Sequence, residues 1–355
     1  MVWILPLNII TNFSTLFNSE SIYFLNIAII FWDKQRKQQT VINEQQGFLS
    51  LLLKNIYFVY TAQAMCYNRK KLTGVITVSD FNINQVAKIR KSIRTYIEKP
   101  LEEGDRKKIN DYINKLSEDE HPFGAKVRIK LFDVDKEINS KDLGTYGVIK
   151  GAKTYLGVAV NETADAMEAV GYVFEKLVLY AASIGLGTCW LGGTFNRGEF
   201  AKAMQLQENE FFPIASPIGY IERKNHTVDK IMRMAIKADS RKPFESMFFE
   251  KDFSSHLSQE AAGEYGDILE TVRLAPSAKN GQPWRIVKDG DTFHFFEKKD
   301  IPSSSHDIQR LDIGIAGCHL DLAASQKGIK GKFFTAEALP EAKGLIYVFS
   351  WVKEG

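Results

Sequence analysis

The sequence predicts an α+β fold, with mostly antiparallel sheets flanked by helices and divided into two unequal halves. Three observations carry this reading. Alternating runs such as Val127-Ile129-Leu131 have the period of a half-buried strand. The stretch Ala164 to Ile184 has the apolar period of a long helix and stops at Gly185-Leu186-Gly187. A shift of 143 positions then aligns Gly171 with Gly314, Leu177 with Leu320, Leu179 with Leu322, Ala181 with Ala324 and Gly185 with Gly328. An internal duplication accounts for that coincidence.

The elements follow in order. Residues 1–76 form an N-terminal extension set apart from the fold. Residues 1–32 carry one charge, Glu20, and the apolar run Ile22 to Trp32 falls short of the ~18–20 residues a membrane span needs. No basic residue precedes that run, which argues against a secretory signal. A membrane-surface anchor, an extra packing arm and translation from a misplaced upstream start all remain open. The Asn-, Ile- and Phe-rich composition and the internal Met65 favour the last.

The first half spans 77–252. Gln85 to Glu98 reads as a helix, and Glu102 to Leu116 as another with Ile109, Tyr112 and Ile113 on one side. Lys126 to Val134, Thr154 to Val160 and Phe211 to Ile221 read as strands, and Arg241-Lys242-Pro243-Phe244 opens an extended tail. The second half, 253–355, holds a helical run Ile268 to Leu274, a Pro-rich loop and a strand Thr292 to Glu297. A helix Asp312 to Lys327 and a last strand Leu345 to Val352 complete it.

Composition excludes several classes of function. Of 46 basic and 43 acidic residues, seven basic and three acidic ones lie in 1–75, so the body is balanced to within one charge. No basic stripe points to nucleic acid. Cys66, Cys189 and Cys318 are too widely spaced for a disulfide framework or a zinc pattern, and the histidines show no ligand spacing, so no metal is expected. The cysteine usage fits a reducing cytoplasm. Neither a Ser-His-Asp arrangement nor a credible carboxylate pair is present, so no catalytic side chain is singled out.

Two segments carry chemistry. Ala275-Pro276-Ser277-Ala278-Lys279-Asn280-Gly281-Gln282-Pro283-Trp284 must break the preceding helix into a tight polar loop presenting N–H groups, a hydroxyl and amides. Arg90-Lys91-Ser92-Ile93-Arg94 sets two guanidinium groups and a hydroxyl at alternate positions. A regular helix would turn Ser92 away from both arginines, so convergence requires a turn or a helix end. There, the two forks and the hydroxyl suit a phosphate dianion. Gly185-Leu186-Gly187-Thr188-Cys189-Trp190-Leu191-Gly192-Gly193 is no dinucleotide fingerprint, because Trp190 stands where the third glycine belongs and the segment ends a helix.

Together these residues resemble the FMN-dependent nitroreductase family, whose members work as dimers with FMN in each interface. In ordinary members the Pro-Ser-x-x-Asn loop follows shortly after the Arg-x-Ser-x-Arg motif. Here the two lie far apart, which resembles the branch in which one chain mimics both dimer halves. The resemblance covers roughly residues 84–355 and implies a nitroreductase-like three-layer fold, an internal pseudo-dimer and one complete site per chain.

By that resemblance Arg90, Lys91, Ser92, Arg94 and Arg241 would hold the phosphate, with Lys91 contributing backbone. Leu191, Gly192 and Gly193 would face the flavin ring, with the Gly192 N–H near its N5. Pro276, Ser277, Ala278 and Asn280 would reach the flavin from the other half. Gln282 is a weaker candidate, and Trp284 reads better as core. The family's middle Asn- and Lys-containing segment has no counterpart here.

The implied activity is ping-pong electron transfer from NADH or NADPH, through FMN, to a nitroaromatic, quinone or similar small acceptor. A flavin-binding or storage protein without turnover is the alternative of a different class. A membrane-associated role for the extension, dehalogenation and flavin breakdown also remain open. A monomer with internal two-fold pseudosymmetry is expected.

Overall fold

The computed structural model describes residues 80–145, 147–222, 234, 240–300 and 306–355. The chain divides into two compact units, 1–75 and 76–355. The expectations for the N-terminal extension lie outside the described residues.

Helix α1 (Ile83–Ile89) begins at Asn82, whose side chain accepts the Gln85 N–H, and ends at Arg90 with an extended ψ of 126°. The expected continuation to Glu98 does not form. Instead the chain pairs with its surroundings: Ser92 bridges Thr188, Thr95 bridges Lys150 and Tyr96 bridges Ile221. Ile93 and Thr95 are β-branched and suit this ladder, so tertiary pairing overrides a helical pattern. Helix α2 (Glu103–Glu118) buries Ile109, Tyr112, Ile113 and Leu116, the stripe the sequence marks out.

Strands β1 (Val127–Asp133) and β2 (Thr154–Asn161) lead to helix α3 (Ala166–Ser183). That helix is buried on nearly every side, which explains its lack of a polar stripe. Strand β3 (Leu186–Thr188), helix α4 (Arg197–Met204) and strand β4 (Glu210–Tyr220) follow. The first sheet runs β1-β2-β4-β3 and is antiparallel throughout.

Beyond it come β5 (Phe248–Glu250), helix α5 (Gly266–Arg273), β6 (Trp284–Asp289) and β7 (Thr292–Glu297). Helix α6 (Ile308–Gln326), β8 (Gly331–Phe334) and β9 (Ile346–Lys353) complete the chain. The second sheet runs β5-β6-β7-β9-β8, antiparallel except for the β5–β6 pair. Helix α6 starts before the expected Asp312, because Asp307 caps it by accepting the Gln309 N–H. Strands β3, β5, β6 and β8 and helix α4 are not expected from the sequence; β3, β5 and β8 span only three or four residues.

Helices α3 and α6 pack against each other, and one continuous apolar core joins them to Leu156 and Val158 of β2 and Phe295 of β7. A second cluster of Phe132, Tyr155, Phe200 and Phe212 lies under α4 and completes the layering. The result is an α+β arrangement of two mostly antiparallel sheets with helices packed against them.

Candidate functional site

The extended turn after α1 and the Pro-rich loop after α5 meet at one cavity. Arg90, Lys91, Ser92 and Arg94 line it from the first, and Pro276, Ser277, Ala278 and Asn280 from the second. Arg241 and Gly192 contribute from two further segments. Ten of the twelve residues expected from the sequence therefore share one wall or another of this cavity. Leu191 and Gly193 do not. Leu191 exchanges backbone hydrogen bonds with Ala215 and is buried in the cluster under α4, while Gly193 is exposed.

The ending of α1 solves the geometric problem posed by the Arg-x-Ser-x-Arg triplet. With the Ile93 N–H donating to the Thr188 carbonyl and the Lys150 N–H to the Arg94 carbonyl, the segment is held extended. The triplet reaches the cavity together, as a helix would not allow. Arg90 is buried, and Ser92, Arg94 and Arg241 are half-buried, so their charge acts in a partly dry site.

The Pro-rich loop is a strained turn fixed by its own side chains. Lys279, Asn280 and Gln282 all have positive φ (51°, 56° and 48°). Several bonds hold them there. The Gln282 N–H donates to Ser277 Oγ, the Gln282 amide accepts from the Lys242 N–H, and both Asp312 carboxylate oxygens lie 3.1 Å from the Ala278 nitrogen. Arg241 donates to Asn280 Oδ1 and to the Leu274 carbonyl, which ties the tail after the first sheet to the loop. Gln282 is buried and off the cavity wall; Trp284 is fully buried core.

Several wall residues were not legible as such in the sequence. Asp312, Ile308, Leu311 and Ile315 share one face of α6, a spacing hidden because the helix start at Asp307 was missed. Trp190 and Ile214 come from the turn after β3 and from β4. Burial pushes the Asp312 carboxyl well above the usual carboxylate range; the Ala278 N–H opposes this, and the fields of Glu297 and Asp307 add to it. Three exposed lysines, Lys88, Lys91 and Lys279, surround the mouth.

The cavity is thus lined by guanidinium groups and a hydroxyl and also by the apolar side chains of Trp190, Ile214, Ile308, Leu311 and Ile315. At Gly192 an added Cβ would lie 2.1 Å from Ile308 Cδ1, so the turn and α6 touch there and a side chain would have to displace Ile308. An anionic ligand with an apolar part matches this lining. Among the described residues no cluster of His, Cys, Asp or Glu could hold a metal ion, and no helix is long and apolar enough to cross a membrane.

Among solved structures, a Thermotoga maritima MSB8 protein described as a nitroreductase shares 19% identity over 77% of this chain and 94% of its own, with a TM-score of 0.50. An FMN-dependent nitroreductase from Clostridium difficile R20291 shares 16% identity over 41% of this chain and 92% of its own, at 0.33. An NADH dehydrogenase/NAD(P)H nitroreductase from Bacteroides thetaiotaomicron VPI-5482 shares 18% over 42% and 96%, also at 0.33. None of the curated proteins matches this sequence. A sequence profile described as "Putative TM nitroreductase" matches residues 82–324, a span that contains both motif segments and every wall of the cavity. The chain belongs to this nitroreductase family.

Proposed function

We propose that this oxidoreductase binds FMN in the cavity and uses it to pass electrons from NADH or NADPH to a small acceptor such as a nitroaromatic or quinone. The observation that carries the reading is the meeting of two distant motifs, Arg90-x-Ser92-x-Arg94 and Pro276-Ser277-Ala278-x-Asn280, on one cavity. The lining fits the group. Arg90, Arg94 and Arg241 offer guanidinium donors, and Ser92 a hydroxyl, to a phosphate dianion. Ile308, Leu311 and Ile315 of α6, with Trp190 and Ile214, offer apolar surface to a ring.

The chemistry such a group supplies when bound is two-electron transfer between a reduced nicotinamide and an acceptor. The chain's own residues bind, orient and exclude water. The Pro-rich loop is shaped by bonds within the chain, through Ser277, Gln282 and Asp312, which reduces what binding must order. Exposed Lys88, Lys91 and Lys279 line the cavity among the described residues, which suits a cleft that an anionic donor enters.

The deciding experiment is the visible spectrum of the purified protein, with the released pigment identified, followed by NAD(P)H oxidation with a quinone or nitrofuran. A flavin spectrum with turnover supports the proposal. A yellow protein that never oxidises nicotinamide supports flavin storage instead, and a colourless protein that takes up no FMN removes both.

A further inference from the structure

Trp190 is the single aromatic side chain on the cavity wall among the described residues, and it is held by a buried network that the proposed chemistry does not use. Its indole Nε1 donates to Glu175 Oε2 at 3.1 Å, and its ring meets Phe174 edge-on at 4.8 Å. Glu175 is fully buried on α3. Its other oxygen lies 3.0 Å from His319 Nε2 on α6, and His319 is also fully buried. His319 Nδ1 lies 2.9 Å from the Thr271 carbonyl, an acceptor, so Nδ1 carries a hydrogen. One proton must then lie between Nε2 and Glu175.

Each polar atom of this chain of contacts has a partner, and the chain joins α3, α5 and α6. It reaches the cavity at one end and a helix that leads to it at the other. Trp190 is on the wall itself, and Thr271 is three residues before Leu274, which leads into the Pro-rich loop and also lines the cavity. A buried ion pair is a poor means of gaining stability, because apolar residues of similar volume do as well. Its use is to fix an orientation.

We propose that Glu175 is a positioning residue: it locks the plane of the Trp190 indole against the cavity, with His319 as its partner on the opposing helix. The wall that a planar ligand meets is thereby set from inside the core. This rests on the reading of the cavity as a flavin site.

The test is a double-mutant cycle with Glu175→Gln, Glu175→Leu and Trp190→Phe. Two readouts are taken: the FMN dissociation constant, and the Trp190 emission and near-ultraviolet dichroism of the FMN-free protein, obtained by difference from Trp190→Phe. Glu175→Gln keeps both bonds, since its carbonyl accepts the indole N–H and its amide donates to a neutral His319. It should stay within about twofold of wild type. Glu175→Leu should shift the Trp190 signals and weaken FMN about fivefold or more, yet add less than about twofold in the Trp190→Phe background.

An equal loss with and without Trp190, or an unchanged Trp190 signal, would overturn the proposal. If Glu175→Leu leaves His319 unpaired and the chain fails to fold, Glu175→Met with His319→Leu removes both members, and the same criteria apply. A wild type that binds no FMN sinks the flavin reading alone; the Trp190 signals of the FMN-free protein still decide the role of Glu175.

Discussion

Gly171 of α3 and Gly314 of α6 face each other where the two long helices cross. A Cβ on Gly171 would lie 2.1 Å from the Leu311 carbonyl oxygen and 3.1 Å from Gly314 Cα, and one on Gly314 would lie 2.2 Å from the Glu168 carbonyl oxygen. The same two positions coincide under the 143-residue shift of the sequence. The contact draws the helix backbones together. That closeness lets Arg310 pair with buried Glu168, and His319 with Glu175, across the crossing.

Alanine at either glycine should therefore be costly, because the obstacles are backbone atoms of a packed helix and cannot swing aside. Gly171→Ala and Gly314→Ala should each destabilise the fold by about 2–3 kcal/mol. The double variant should fall short of the sum, since one helix displacement relieves both clashes. Urea midpoints at constant m-value measure this; a loss under about 0.5 kcal/mol would mean the helices are not held this closely.

Gly192→Ala makes the contrasting case. Its Cβ would meet Ile308 Cδ1, the mobile end of a side chain, rather than backbone. Stability should change by less than about 1 kcal/mol, while displaced Ile308 narrows the cavity it lines and FMN binding weakens. Restoring the affinity by adding Ile308→Ala would identify the clash as the cause. Parallel thermal melts and FMN titrations of the single and double variants separate the two effects.

These two glycines also mark what the sequence could and could not convey. The 143-residue repeat pointed to Gly171 and Gly314 as equivalent positions, and chain-local signals identified α2, α3 and most strands. Helix periodicity failed between Arg90 and Glu98, where Thr188, Lys150 and Ile221 offer ladder partners that no local pattern contains. The Arg90 and Ser277 segments were recognisable because their residue types and spacing are unusual. Ile308 and Asp312 were not, because a role on the cavity wall depends on which helix face turns inward. Leu191 is next to the wall residue Gly192, yet its backbone pairing with Ala215 sets its side chain in the core cluster under α4.

Arg90 is the most buried cation on the cavity wall, with 8% of its surface exposed. Arg90→Ala should weaken FMN by ~1.5–3 kcal/mol, the scale of a hydrogen bond to a charged group, or roughly tenfold to over a hundredfold. Arg90→Lys should recover only part of this, because an ammonium cannot reproduce the planar fork. Fluorescence titration of FMN into the cofactor-free protein gives the numbers, and an unchanged dissociation constant would take Arg90 out of the site.

The lysines at the mouth serve a different step. Lys88, Lys91 and Lys279 are exposed and make no ion pair among the described residues, so their charge is available to an arriving anion. Changing all three to Gln should lower kcat/KM for NADH or NADPH about three- to tenfold at low ionic strength. Salt at about 0.5 M should erase the difference by screening. A deficit that persists in high salt would place the lysines in direct contact with the donor rather than in steering.

Asp312 supplies a pH test. Because burial raises its folded-state pKa above the unfolded value of ~3.9, the native state holds that proton more tightly than the unfolded chain does. The associated stability is fully present below about pH 3.9 and is lost as pH rises toward the folded-state value. Asp312→Asn keeps an acceptor for the Ala278 N–H but carries no titrating group. Its Tm relative to wild type should therefore climb as pH is raised above about 4, and level off once Asp312 ionises in the fold. Glu297 and Asp307, whose fields act on Asp312, are unchanged in the variant, so their own titration largely cancels in the difference. Paired melts across this range decide the matter: a pH-independent offset would mean that Asp312 does not titrate differently on folding, and that its carboxylate is charged in the loop it holds.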